Sequence, residues 1–280
     1  MNIKILNRKF VFFLVLLQLL LSVGCTKKDF TIKNLNNDKI EAMGHGGMGT
    51  KVHCPINTLK SVQTCIDAGA EGTEIDVQMT KDEMLVAFHD ETLNLATKHD
   101  GQIAEKNWSE ISGAKYNTAA AKRHELKSME DLLNCLEFDD NFLFTLDVKT
   151  TKDEISKDYA NSYVQKISAL IDKFNLSDQV LVEFNRVELA KAMRKLRPDI
   201  KVFIYNEYDF ALEKAVELGA FGITCSVDWL TKEQVEKAHE NNIRVTLFGC
   251  NSNKKNIKAI ELNPDYIQTD ELKHLLRVLN

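Results

Sequence analysis

Short apolar, β-branched runs alternate with stretches of helical periodicity along most of the chain. The strand-like runs are Ile40–His45, Thr73–Gln78, Phe142–Lys149, Val180–Phe184, Lys201–Tyr205, Gly222–Ser226, Arg244–Phe248 and Tyr266–Thr269. Helical patterns fall between them at Thr58–Ala68, Ser128–Leu136, Ile155–Phe174, Val187–Leu196, Phe210–Leu218, Thr231–Asn241, Lys255–Glu261 and Leu272–Leu279. Asn57 and Thr231 stand where N-caps are expected, Gly69 and Gly219 where C-caps are expected. Eight strand–helix units predict an α/β chain closed as a (β/α)8 TIM barrel. A doubly wound open sheet could hold as many strands, but the run Gly44-His45-Gly46-Gly47-Met48-Gly49 lacks the glycine spacing of a nucleotide loop. Met84–His89 is an extra extended run, and Asp90 to Lys127 has only patchy periodicity. That segment (about 90–127) reads as a small insertion after the second strand, on the face where barrel enzymes carry their sites.

The first residues follow a different rule. Lys4, Arg8 and Lys9 precede an apolar run from Phe10 to Leu21 broken only by Gln18, and Ser22-Val23-Gly24-Cys25 follows. This is the layout of an export signal, with Cys25 placed as in the lipobox of bacterial lipoproteins. Residues 1–24 are expected to be removed, 25–39 to form a polar tether, and 40–280 to form the barrel. The expected location is a bacterial membrane, periplasmic or cell-surface, with attachment through a lipid on Cys25.

Composition narrows the chemistry. With 44% hydrophobic and 28% charged residues in 280, the chain has an ordinary globular balance. A net charge of −5 without basic blocks speaks against nucleic acid. No pattern suggests an obligate protein partner. The cysteines beyond Cys25 show no CxxC spacing and read as buried free thiols.

Polar residues gather where the strands end. His45 ends the first strand, Glu74 and Asp76 lie in the second, and His89-Asp90 follows the extra run. Asp147 and Lys149 end the third strand, Glu183 and Asn185 the fourth, and Thr269-Asp270 the last. Residues two apart on a strand share a face, so Glu74 joins Asp76, and Asp147 joins Lys149. Three carboxylates without cysteine suit a hard cation such as magnesium, calcium or manganese. Two histidines beside them suit acid–base work near neutral pH, and a lysine suits a phosphate. A structural ion network of Glu74, Asp147 and Lys149 is the competing reading of the same residues. Trp229 and Phe248 are candidates for an apolar wall around a substrate.

Several segments carry a resemblance: His45-Gly46-Gly47, Pro55-Ile56-Asn57-Thr58, the run from Gly72 through Asp82, His89-Asp90-Glu91-Thr92-Leu93, Leu146-Asp147-Val148-Lys149 and Ile267-Gln268-Thr269-Asp270. Together they resemble the glycerophosphodiester phosphodiesterase family over nearly all of 40–280. The resemblance implies a barrel that hydrolyses glycerophosphodiesters to glycerol 3-phosphate and an alcohol, using a divalent cation. It also implies Glu74, Asp76 and Asp147 as metal ligands, His45 and His89 as the acid–base pair, and Lys149 as a phosphate contact. Glu183 and Trp229 are added as candidate substrate contacts. Three positions depart from the family pattern: Gly46 replaces an arginine, Ile56 a glutamate, and Asp147 a glutamate ligand. Two other functions fit the sequence: a phosphodiesterase of the same superfamily acting on lysophospholipids or sphingolipids, and a non-catalytic lipoprotein that binds a phosphorylated ligand.

Overall fold

The computed structural model describes residues 30–50, 54–117 and 123–280, so Cys25 and the export signal lie outside the described residues. The first elements are β1 (Glu41–Gly44), α1 (Leu59–Asp67), β2 (Gly72–Met79) and β3 (Leu85–Ala87). Next come α2 (Trp108–Ile111), β4 (Lys127–Ser128), α3 (Met129–Cys135), β5 (Leu143–Val148) and α4 (Lys157–Lys173). A regular alternation then runs through β6 (Val180–Phe184), α5 (Val187–Leu196), β7 (Lys201–Tyr205), α6 (Tyr208–Leu218) and β8 (Gly222–Ser226). It ends with α7 (Lys232–Glu240), β9 (Arg244–Cys250), α8 (Asn253–Glu261), β10 (Tyr266–Thr269) and α9 (Leu272–Leu279).

Strands β1, β2, β5, β6, β7, β8, β9 and β10 pair in parallel in that order, and β1 also pairs with β10. The sheet therefore closes as the expected eight-stranded barrel. β3 and β4 are additions, paired antiparallel on the outer flank of β2. From β3 onward the expected insertion builds its own apolar cluster, in which Val86, Phe88, Leu93, Ile103, Ile111 and Leu126 are buried together. That cluster explains the patchy pattern: its apolar residues come from short turns and 3-10 segments with no single period.

The two-residue period of the strands layers the barrel interior. Met43, Leu181, Phe203 and Tyr266 pack together near the strands' N-terminal ends. Gly222 lacks a side chain there because a Cβ would stand 2.3 Å from the Phe203 ring. Two residues farther along, the same inward positions become His45, Glu183, Tyr205 and Gln268. An apolar floor thus carries a polar mouth.

Two local expectations change. Thr58, whose side chain accepts from the Ser61 amide, caps α1. Asn57 sits one residue earlier at φ 62°, and its side chain turns into the barrel. Residues 34–36, within the stretch expected as a polar tether, dock on the barrel's N-terminal end. The Leu35 amide donates to Asp265 at 2.8 Å, and the Asn34 amide group donates to the Pro264 carbonyl at 2.8 Å. Arg244 donates to Asn36 Oδ1 at 2.9 Å and to the Leu35 carbonyl. Asp265 and Arg244 stand at the starts of β10 and β9, and their side chains provide these contacts. Gly219 adopts the left-handed cap expected after α6.

Candidate active site

Glu74 and Asp76 project inward from β2, and Asp147 projects from its register partner on β5. One carboxylate oxygen from each lies within 4.8 Å of the others, and all three residues are buried. Glu74 Oε2 accepts from the Gly46 amide at 2.9 Å, whereas Oε1 is buried without a hydrogen-bond partner among the described residues. An orphaned oxygen inside a set of hard oxygen donors is what a divalent cation would complete. The residues present therefore fit the cation that the sequence suggested.

Lys149 makes an ion network of the kind the competing reading expected, with Asp76 in place of Glu74 as the second direct contact. Its Nζ lies 2.9 Å from Asp76 Oδ1 and 2.7 Å from Asp147 Oδ2, so it bridges two of the three carboxylates. Burial alone would lower the lysine's pKa, but Asp147, Asp76 and Glu74 raise it, fixing the ammonium form. Burial would raise Asp76, yet Lys149, His89 and Asn57 together hold it below its ordinary range. Burial and the charges of Asp76 and Asp147 push Glu74 well above the usual carboxylate range. Burial likewise raises Asp147, with Lys149 opposing and Asp76 adding to the shift.

The two histidines meet over this cluster although they come from different loops. Their ring centroids are 6.4 Å apart, with the planes near perpendicular. His45 Nδ1 is 2.7 Å from Asp270 Oδ1, and His89 Nδ1 is 2.9 Å from Asp90 Oδ1. Each ring is oriented by a carboxylate on one nitrogen, leaving Nε2 for chemistry. Burial would lower the His45 pKa, but the hydrogen bond and charge of Asp270 raise it overall.

Several positioning residues escaped the sequence reading. Gln78 donates to the carbonyls of both Phe88 and Asp90 at 2.9 Å, clamping the chain on either side of His89. Asn57 donates to Asp76 Oδ2 at 2.6 Å and accepts from the Asp76 amide at 3.0 Å. The buried hydroxyl of Tyr163, on α4, donates to the carbonyls of Val77 and Lys149, tying the ends of β2 and β5 together. The one readable signal was Asp270, a carboxylate at a strand end; neutral polar residues at inward positions look like ordinary core contacts.

A cavity of about 240 Å³ holds His45, Glu74, Asp76, His89, Asp147, Lys149, Glu183 and Asp270 in its lining. A profile of the glycerophosphoryl diester phosphodiesterase family matches residues 45–274, a span that takes in every one of those residues. The chain belongs to that family. A glycerophosphodiester phosphodiesterase of Bacillus altitudinis is 27% identical over 233 residues, covering 79% of this chain and 91% of that protein. One from Caldanaerobacter subterraneus is 22% identical over 236 residues, covering 82% of this chain and 95% of the relative. Among solved structures, a glycerophosphodiester phosphodiesterase from Parabacteroides distasonis superposes with a TM-score of 0.74 at 18% identity, covering 86% of this chain and 96% of the other. An Oleispira antarctica phosphodiesterase, solved with its product sn-glycerol-3-phosphate, gives 0.75 at 17% identity, covering 85% and 96%. These structural likenesses establish the shared barrel.

At Gly46 the loop leaves no room for a side chain as it stands. Gly46 sits at φ 53°, and a Cβ there would stand 2.4 Å from Ile56 Cβ. Any residue but glycine at position 56 carries that Cβ, so the crowding comes from how closely the two stretches of backbone run. Among the described residues, Lys149 is the lysine or arginine that lines the inner cavity. Glu183 also reaches the cavity, where burial and Asp147 raise its carboxyl to about 8. Trp229 does not line it; the residue is 51% exposed and its ring stands edge-on to Phe248 at 5.8 Å. Phe248 does line it, packed against Tyr205 at 5.0 Å.

Proposed function

We propose that this chain hydrolyses glycerophosphodiesters to glycerol 3-phosphate and an alcohol. Glu74, Asp76 and Asp147 would hold a divalent cation, and His45 and His89 would be the acid–base pair. The observation that carries the reading is the placement of two carboxylate-backed histidines, 6.4 Å apart, over a buried three-carboxylate cluster. Magnesium, calcium and manganese all suit the oxygen-only donor set. A cation bound there would withdraw charge from the phosphoryl oxygens. One histidine takes the proton from the attacking group, a water or the substrate's neighbouring hydroxyl (whose cyclic phosphate a water then opens), and the other gives a proton to the departing alkoxide. Lys149 supplies positive charge at the same spot, fixed in place by its two carboxylate contacts. The small volume of the cavity, about 240 Å³, supports a compact diester over a lysophospholipid, whose acyl chain asks for a broad apolar cleft.

We further infer that the mature protein is a bacterial lipoprotein held by lipid on Cys25, scavenging diesters at a membrane. The sequence layout of residues 1–25 supports this. Mass spectrometry of the N-terminal peptide from the full chain checks it; an unmodified Cys25 in membrane-free protein refutes it.

The activity test uses protein beginning at Lys27, stripped with chelator and supplied with glycerophosphocholine or glycerophosphoethanolamine. Release of glycerol 3-phosphate on restoring magnesium, calcium or manganese, and its loss in His45→Ala and His89→Ala, is expected. Folded protein that releases nothing with any of the three cations would rule the function out.

A further inference from the structure

The face of the barrel opposite the catalytic mouth carries a groove of about 410 Å³, formed where helices return to the strands. Arg194 near the end of α5, Lys201 at the start of β7 and Arg244 at the start of β9 line it, together with Phe221. Lys201 Nζ lies 6.0 Å and Arg244 Cζ 4.2 Å from the centroid of the Phe221 ring. All three cations are half-buried, and their hydrogen bonds go to neutral acceptors. Arg194 donates to the carbonyls of Leu218 and Pro198, Lys201 to that of Asp178, and Arg244 to Asn36 Oδ1 and the Leu35 carbonyl. Asp199, the acid in the lining, is already held by Arg197 through hydrogen bonds of 2.7, 3.0 and 3.2 Å.

Positive charges set together in a partly dehydrated place, with the nearby acid committed elsewhere, ask for an anion. Burial lowers the Lys201 pKa; Asp178 raises it, and Arg244 lowers it further, the mark of like charges in each other's company. The chain as a whole carries −5, so this groove departs from the overall sign. Phe221 adds an apolar surface, which suits an anion attached to hydrocarbon. The source of that anion follows from where the N-terminal stretch docks. Arg244, a wall of the groove, is also what holds Leu35 and Asn36, and the Lys33 amide donates to Asn263 at 3.4 Å. The chain coming from Cys25 therefore meets the barrel on this face. Residues 26–32 separate Cys25 from Lys33, a stretch that spans at most about 30 Å when fully extended.

We propose that Arg194, Lys201 and Arg244 bind the phosphate of an anionic phospholipid in the membrane that carries the anchor. The barrel then rests on its N-terminal face, and the catalytic mouth opens toward water. This rests on the lipid anchor read at Cys25 and deepens it, since it says which face the anchor brings to the bilayer. A mouth turned to water receives diesters that have already left the membrane.

The test uses protein beginning at Lys27, which lacks the lipid, so that the groove acts alone. It is sedimented with vesicles of equal parts phosphatidylglycerol and phosphatidylcholine, or of phosphatidylcholine only. Binding to the first, little to the second, and weakening with added salt are expected. A basic residue at an anionic surface contributes about fivefold to partitioning. Lys201→Gln and Arg194→Gln should each lower binding by about that factor, and the double variant by about 25-fold. Lys60→Gln, which removes an exposed lysine on α1, should leave binding unchanged. Melting temperatures confirm that each variant is folded. Vesicle-bound protein should turn over glycerophosphocholine as fast as free protein, and the groove variants should match wild type in that assay.

Folded protein that ignores both vesicles would overturn the assignment, as would a loss in Lys60→Gln equal to that in Lys201→Gln. Inorganic phosphate that raises the melting temperature of wild type but not of the groove variants, with no vesicle binding, would assign the groove to a free anion instead. Turnover that stops on vesicle binding would put the mouth against the bilayer and overturn the orientation. Groove-dependent vesicle binding by a protein whose Cys25 proves unmodified in the full chain would uphold the lipid site and bring down only the anchor beneath it.

Discussion

Replacing Glu74 by glutamine should make the metal-free protein more stable and remove most of the stability gained from metal. In the folded chain Glu74 is buried, has one oxygen without a partner, and shares a 4.8 Å neighbourhood with Asp76 and Asp147. Burial and those two negative charges raise its pKa well above the ordinary value. A carboxyl group whose pKa rises on folding binds protons more tightly in the folded state. Stability therefore falls as pH climbs above the ordinary carboxylate range, and the penalty is present at neutral pH. Glutamine carries no charge, keeps the acceptor for the Gly46 amide and brings an N–H that can face the neighbouring carboxylates. Relief of one buried, poorly paired charge is worth about 1–3 kcal/mol. At roughly 2–4 °C per kcal/mol for a domain of this size, the variant should melt about 2–12 °C higher in chelator. Wild-type protein at a cation concentration near 100 times its dissociation constant should gain about 2.7 kcal/mol, and the variant much less. Calorimetry at pH 7.5, with chelator and then with magnesium or calcium, reads both quantities. The gap in chelator should close as the pH is lowered toward the carboxylate range. A variant that melts below wild type in chelator, or that gains as much from the cation, would refute the argument.

Two further substitutions address the groups that hold the site. Asn57→Gly keeps the left-handed backbone at φ 62° but removes both contacts to Asp76. Metal affinity, followed by titration calorimetry, should fall about 10–100-fold; an unchanged affinity would mean that Asp76 is held without it. Asp270→Asn removes the charge that raises the His45 pKa against the opposing effect of burial. The limb of the pH–rate profile that belongs to His45 should move to lower pH. In wild type, the stability supplied by protonated His45 is fully present below the ordinary histidine pKa and lost as pH rises through the raised folded value, so the variant's melting temperature should lack that dependence. A profile unmoved by the substitution would separate Asp270 from the chemistry.

The order of elements belonged to the sequence alone. Strands β6, β7, β8 and β10 and helices α5 and α9 occupy the residues that periodicity assigns them, because strand and helix periods are local and a buried barrel strand needs only its own apolar run. The inward pairing of Glu74 with Asp76 was equally local, a consequence of a two-residue repeat on one strand. Contacts across the closed barrel were decided elsewhere. Asp270 orients His45 from 225 residues away because β1 pairs with β10, and only closure of the sheet brings them together. Gln78 can clamp His89 only because β3 folds back antiparallel on β2. Asn57 has the composition of a helix cap, yet Asp76 offers it two hydrogen bonds in a buried place while Thr58 caps the helix instead. Asp265 and Arg244, at the strand entries, draw residues 34–36 onto the barrel, although their polar composition suggested a tether. Local pattern fixes which face a side chain shows; long-range hydrogen bonding and charge, which have no period along the chain, choose its partner.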